Sequence, residues 1–255
     1  MNGRSARRLA RLQESLSGGG SLHLSEAARL CGVSEMTIRR DVAASDGAMT
    51  FLGGRLMMAD HPLFAPAYDL NEQQGSHYPA KHRLCRGAAA FITEGDTLFI
   101  DCGTTLMPLL GMLGAFQAIT VVTYALNVAN AVSRLPNARL VLLGGLYHDV
   151  SQTFADDEMG DAIRRLGINR AFLSAAGVHA ERGVSCFHFH EVAPKQAAIA
   201  SAAQRLLVVD ASKLDTIRPA YFARLDDFDV MITEDTARLK LETAVGEPGP
   251  RIVAA

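Results

Sequence analysis

Leu9, Leu12 and Leu16 fall at i, i+3 and i+7 within Arg4–Leu16, so one stripe of a helix is apolar and arginines surround it. Gly18-Gly19-Gly20 stops that helix, because three consecutive glycines make its continuation costly. Ser25 stands where an N-cap belongs, ahead of Glu26 and the apolar set Ala27, Ala28, Leu30 and Cys31. Gly32-Val33 breaks the run, and Ser34 caps a further helix, with Thr37 standing where a full capping box has an acid. On this helix Met36, Val42 and Ala43 supply the apolar positions, which leaves Thr37, Arg39 and Arg40 outside. Met49 to Met58 reads as two short strands around Gly53-Gly54, a hairpin pattern.

A different rhythm begins after a polar stretch, 59–79, whose Pro62, Pro66 and Pro79 exclude a long regular element and mark a linker. Helical patterns at Lys81–Ile92, Leu106–Leu113, Leu126–Leu135, Asp157–Leu166 and Val192–Ala203 alternate with short apolar runs. Those runs, at Thr97–Ile100, Thr120–Thr123, Arg139–Leu143, Arg170–Ala175, Leu206–Val209 and Val230–Thr233, are strand-sized and lack a polar face. Strands of that kind between helices predict an α/β body with a mainly parallel sheet covered on both sides. The expected organisation is a winged helix-turn-helix over 1–58, the linker, an α/β domain over 80–235 and a tail over 236–255.

At 255 residues, 49% hydrophobic and 20% charged, the chain has the composition of a globular protein rather than a disordered one. It lacks an apolar run of the roughly 18–20 residues that a membrane span needs, and its arginine-rich start lacks the apolar core of a secretory signal. Cys31, Cys85, Cys102 and Cys186 are widely separated, which predicts reduced thiols and a cytoplasmic protein. The near-neutral total hides an asymmetry: residues 1–55 carry eight arginines against five acids, while the remainder is acidic. A basic front unit on an acidic body suits a nucleic-acid-binding head joined to a partner-sensing domain.

The chemistry follows from position. In a helix-turn-helix the first residues of the second helix enter the major groove, which directs Ser34, Glu35, Thr37 and Arg39 at base edges. Arg40, Arg7 and Arg8 suit phosphates, and Arg55 gives the wing a cation beside the DNA backbone. In the body, ligands gather beyond the carboxyl ends of strands. The first strand is followed there by Asp101-Cys102-Gly103-Thr104-Thr105, whose glycine, hydroxyls and helix start suit a phosphate. The other strands end in Thr123-Tyr124, Gly144-Gly145, Ala176-Gly177 and Asp210-Ala211-Ser212-Lys213. Cys186, His188 and His190 alternate at a spacing that can chelate a transition metal, against the alternative of ordinary packing; neither a metal nor a cofactor is assigned.

The run "LSEAARLCGVSEMTIRRDV" resembles the DNA-binding head of the DeoR family of bacterial transcriptional regulators, over residues 5 to 58. Residues 80–235 resemble the effector-sensing domain of the same family and, more distantly, the ribose-5-phosphate isomerase fold. The resemblance implies a repressor released from operator double-stranded DNA by a phosphorylated sugar. Gly103, Thr104 and Thr105 would hold the phosphate, helped by Thr123, Tyr124 and Lys213, while Asp101, Glu191, Lys195 and Asp210 would meet the sugar or hold the loops, with Gly177 nearby. Two departures stand out: "VAASDGAM" lacks the Leu-Glu pair common in the family, and Ala125 replaces a frequent serine. "SAAGVH" and "CFHFHEVAPK" look most like members that repress deoxyribonucleoside operons and answer to deoxyribose-5-phosphate. Paired half-sites imply a homodimer or a higher even-numbered oligomer. The competing readings are a sugar-phosphate isomerase-like enzyme with an accessory DNA-binding head, and an activator of the same type.

Overall fold

A computed structural model describes residues 3–16, 22–43, 45, 49–52, 55–58, 77–236 and 249–255. The chain divides into two compact units, Met1–Ala67 and Tyr68–Ala255.

In the first unit, α1 (Gly3–Leu16), α2 (Leu24–Cys31) and α3 (Glu35–Ala43) pack through Leu9, Leu12, Leu16, Ala27, Ile38 and Val42. Strand β1 (Leu22–His23) pairs with β3 (Arg55–Met58), which pairs with β2 (Met49–Leu52), so the hairpin becomes the wing of a winged helix. Two local expectations are corrected. The N-cap of α2 is His23 rather than Ser25: its Nδ1 accepts from the Ser25 amide while Glu26 reaches back to the His23 amide. An imidazole nitrogen can do the work that a hydroxyl usually does. Met36 is 65% exposed, and the inward positions of α3 are Ile38, Asp41 and Val42. Gly32 ends α2 with φ 65°, the left-handed conformation that glycine adopts without steric penalty.

The second unit begins with α4 (Tyr78–Ala89), three residues earlier than the periodicity indicates. Pro79 sits in its first turn, where the missing amide leaves no helical bond unmade, so 77–79 belong to the domain and not to a linker. The rest of that stretch lies outside the described residues, as do Gly53-Gly54 and 237–248.

Among the described residues the central sheet has seven parallel strands: β4 (Thr97–Ile100), β5 (Ile119–Thr123), β6 (Ala138–Leu142), β9 (Ile168–Leu173), β12 (Ala202–Val208), β14 (Val230–Thr233) and β15 (Arg251–Ala254). The spatial order is β15-β14-β12-β9-β4-β5-β6. The helices between them are α5 (Met107–Met112), α6 (Leu126–Val132), α7 (Met159–Arg164) and α8 (Val192–Ser201). Leu98, Phe99, Ile100, Val121, Val122, Phe172, Leu173, Leu206 and Leu207 are wholly buried at its centre. Their burial explains the uninterrupted apolar runs in the sequence.

Strand β15 corrects the tail: Arg251–Ala254 pairs in parallel with Val230–Thr233 and extends the sheet. Two smaller antiparallel pieces complete the unit. One is the hairpin β7–β8 (Leu146–His148, Thr153–Ala155), and the other is the sheet β10-β11-β13 (Gly177–His179, Gly183–Cys186, Ala220–Ala223).

The strand order places one boundary where a ligand is expected. From β4 the chain winds outward to β5 and β6, then returns to the other side of β4 as β9. The connections after β4 and β9 therefore diverge, opening a crevice at their carboxyl ends.

Candidate functional site

The crevice is there. Cys102, Gly103, Thr104 and Thr105 after β4, with Ser174, Ala175 and Ala176 after β9, line its two sides. Cys186, Phe187, His188, Glu191, Lys195 and Lys213 complete it. Gly103 is required by its neighbour as much as by any ligand, since a Cβ there would collide with Ser174 Oγ.

Beneath the crevice lies a buried polar cluster centred on Asp101. Its Oδ1 accepts from Tyr124 Oη at 2.7 Å, and its Oδ2 accepts from the Ser174 amide at 3.1 Å and Ser174 Oγ at 2.8 Å. Lys195 Nζ lies 2.5 Å from the same Oδ2 and 3.8 Å from Glu191 Oε2. Asp101, Tyr124 and Ser174 come from the ends of β4, β5 and β9, Lys195 from the first turn of α8 and Glu191 from just before it, so the parallel layout brings them together.

Burial is the largest influence on Lys195 and opposes its charge, yet the Asp101 carboxylate together with Cys102, Glu191 and Cys186 outweighs it, and the ammonium is held above its usual range. Burial likewise opposes ionisation of Asp101, and Lys195 again decides the balance, keeping the carboxyl below its usual value. Glu191 is left over. Burial pushes its carboxyl up to about 7 despite Lys195, because Asp101 has already taken the closer contact.

The residues expected at the ligand separate into three groups. Gly103, Thr104, Thr105, Glu191, Lys195 and Lys213 line the crevice. Asp101 and Tyr124 are wholly buried and hold the floor rather than facing the opening. Thr123, Gly177 and Asp210 do other work. Thr123 Oγ1 donates to the Ile100 carbonyl at 2.8 Å, tying β5 to β4. Gly177 accommodates the Thr216 carbonyl, and Asp210 caps the turn at Ala211–Lys213 by accepting from the Ser212 amide. The loop at Gly144-Gly145 does not line the crevice; Gly145 instead lets β8 approach at the Ala155 carbonyl.

Lys81 and Ser174 were not among the expected residues. Lys81 is buried and donates to Thr104 Oγ1 at 3.1 Å. A signal for it existed, since Lys81 shares the buried stripe of α4 with Leu84, Cys85 and Ala88. The Cys-His run does not converge on a point. His148 and His190 stack with centroids 3.8 Å apart, His188 lies 5.3 Å beyond, and Cys186 Sγ contacts the carbonyls of His188 and Ala220. Among the described residues, no group of three His, Cys, Asp or Glu side chains is placed to hold a metal ion.

On the first unit, Ser34 Oγ caps α3 by accepting from the Thr37 amide, and the Ser34 and Thr37 hydroxyls lie 2.9 Å apart. Glu35, Arg39, Arg40 and Arg7 are exposed, and the Arg39 guanidinium lies 5.3 Å from the centre of the Phe51 ring on the wing. Arg8 leaves the phosphate set: its Nε and a terminal nitrogen bind the Asp41 carboxylate at 2.6 and 3.0 Å, with Ser5 Oγ also donating. That bond raises Arg8 and lowers Asp41 in pKa, fastening α1 to α3. The side chain of Arg55 lies outside the described set.

No helix among the described residues is long and apolar enough to cross a membrane. Residues 8–51 match the DeoR-like helix-turn-helix domain and residues 76–235 the DeoR C-terminal sensor domain. The chain is 35% identical to the deoxyribose operon repressor of Escherichia coli K12 over 92% of both proteins. It is 28% identical to the lactose phosphotransferase system repressor of Lactococcus lactis over 90% and 91%, and 26% identical to the regulator IolR of Bacillus subtilis over 89% and 90%. Among solved structures, ribose 5-phosphate isomerase from Plasmodium falciparum matches at TM-score 0.39 and 12% identity, covering 53% of this chain and 52% of that one. A winged head joined to a crevice-bearing parallel sheet, matched along nearly its whole length by named repressors, places this chain in the DeoR family as a DNA-binding transcriptional repressor and not an enzyme.

Proposed function

We propose that the protein holds operator double-stranded DNA through its winged head and releases it when a phosphorylated sugar enters the β4/β9 crevice. The observation that carries this is the placement of Gly103, Thr104, Thr105 and Lys213 around one opening at the point where the strand order reverses. Backbone amides, hydroxyls and an ammonium suit a phosphate dianion. Glu191 and Lys195 supply an acceptor and a donor for sugar hydroxyls. Deoxyribose-5-phosphate is the effector we assign, and genes of deoxyribonucleoside catabolism are the targets, because the E. coli relative is a deoxyribose operon repressor.

An effector works only if it favours one conformation of the body over another. Loops from separate strands closing on one dianion provide that difference. Two copies at least, matching paired half-sites, and a cytoplasmic location complete the reading. The test has two parts: a thermal-shift panel of pentose and hexose phosphates on the full chain, and release of the bound operator by the same compounds. Stabilisation together with release by a pentose phosphate is expected. A panel that leaves melting and DNA binding unchanged overturns the proposal.

A further inference from the structure

Lys81 holds the first turn of α4 from two directions. Its amide donates to the His77 carbonyl at 3.0 Å, closing the turn, and its Nζ donates to Thr104 Oγ1 at 3.1 Å. His77 caps the turn with φ 56°, a left-handed conformation that a residue bearing a side chain keeps only where its surroundings impose it. In sequence, this turn follows directly on the stretch that joins the head to the sensor domain. Lys81 therefore stands where the chain coming from the head is first fastened to the body.

Thr104 faces the ligand as well as Lys81. It lines the crevice, whereas Lys81 is buried and does not line it. A hydroxyl that accepts from an ammonium keeps its own proton to donate. A phosphate beside Thr104 thus completes a chain in which Lys81 donates to Thr104 and Thr104 donates to the dianion. Each bond in such a chain polarises the next, so the ligand tightens the Lys81–Thr104 contact. Charge acts in the same direction. Burial pulls the Lys81 ammonium below its usual range; Asp210 opposes this, and Lys213, whose side chain lines the crevice, adds to it. A dianion offsets the repulsion between the two ammoniums and steadies both.

Resting on the sugar-phosphate reading above, we infer that Lys81 is the positioning residue that transmits occupancy of the crevice, acting through Thr104 to tighten the first turn of α4 where the chain arrives from the DNA-binding head. Lys81 does not touch the ligand. Without its ammonium the crevice still binds but no longer reports.

Lys81→Met, which keeps the length of the side chain and removes its charge, tests this in the full chain. Gel-shift titration of operator DNA with and without deoxyribose-5-phosphate reads release, and calorimetric titration with the same sugar reads binding. In the unaltered protein, saturating sugar should weaken operator binding about 5- to 150-fold. In Lys81→Met, operator affinity without sugar should be unchanged, and the sugar Kd should rise by no more than about 10-fold. Saturating sugar should then shift operator binding by less than about 2-fold. Release equal to that of the unaltered protein overturns the inference alone. So does loss of sugar binding in the folded variant, which would make Lys81 part of the binding site itself. No binding, or binding without release, in the unaltered protein overturns the sugar-phosphate reading and this inference with it. Should Lys81→Met fail to fold, Thr104→Val, which removes the intervening hydroxyl and keeps Lys81, decides: binding without release is expected, and release at saturating sugar overturns the inference.

Discussion

Asp101 and Lys195, 94 residues apart in sequence, form an ion pair 2.5 Å long whose side chains are 0% and 2% exposed. Such a pair returns little net stability compared with an apolar pair, yet removing one partner leaves the other charged and buried. Asp101→Asn should therefore destabilise the second unit by about 3–5 kcal/mol. Lys195→Met should cost a similar amount, and the double variant less than the sum. Denaturant unfolding of the three proteins checks the coupling.

Glu191 makes stability depend on pH in a definite direction. Its carboxyl sits at about 7 in the folded chain against an ordinary value of 4.5, so the fold holds the proton more tightly than the unfolded chain. The contribution is fully present below the ordinary value and is lost as pH rises through the folded one. Glu191→Gln removes the titration, and melting temperatures across that window should change less with pH than those of the unaltered protein. Parallel curves would assign the dependence to another group.

Thr104 and Lys213 are expected to matter for release and not for grip. Thr104→Ala combined with Lys213→Ala should leave operator affinity unchanged while deoxyribose-5-phosphate no longer displaces the DNA. A gel-shift titration with and without the sugar reads both quantities, and normal release would place the effector elsewhere.

Three arginines of the head should behave differently. Arg39, exposed on α3 and resting on Phe51, should cost about 1–3 kcal/mol on operator DNA but not on random DNA when changed to Ala. Arg7→Ala should reduce the salt slope of binding by about 0.9. Arg8→Ala should leave that slope unchanged, because its guanidinium is turned to Asp41, and should instead lower the melting temperature of the head. Salt titrations and thermal melts of the variants separate these roles.

The parts of the molecule that could be read from sequence are those with a local cause. Strand β14 begins and ends where its apolar run does, and β4, with no polar face, is equally plain. Gly103-Thr104-Thr105 announces itself because phosphate chemistry needs those groups next to one another in the chain. Long-range partnership leaves no such trace: neither the joining of Ser174 to Asp101 nor the separation of Glu191 into the odd carboxyl can be read from spacing. Arg8 illustrates the converse. An arginine beside a leucine stripe looks free until Asp41, from another helix, is placed against it. Very short antiparallel strands such as β7 and β10 were missed because three residues carry too little alternation to register.

The rung that Arg251–Ala254 adds beside β14 acts as a protective cover. Clipping them would bare the outer amides and carbonyls of Val230–Thr233, a flat, apolar margin open to pairing with neighbouring molecules. A protein lacking this strand should thus clump before it unfolds.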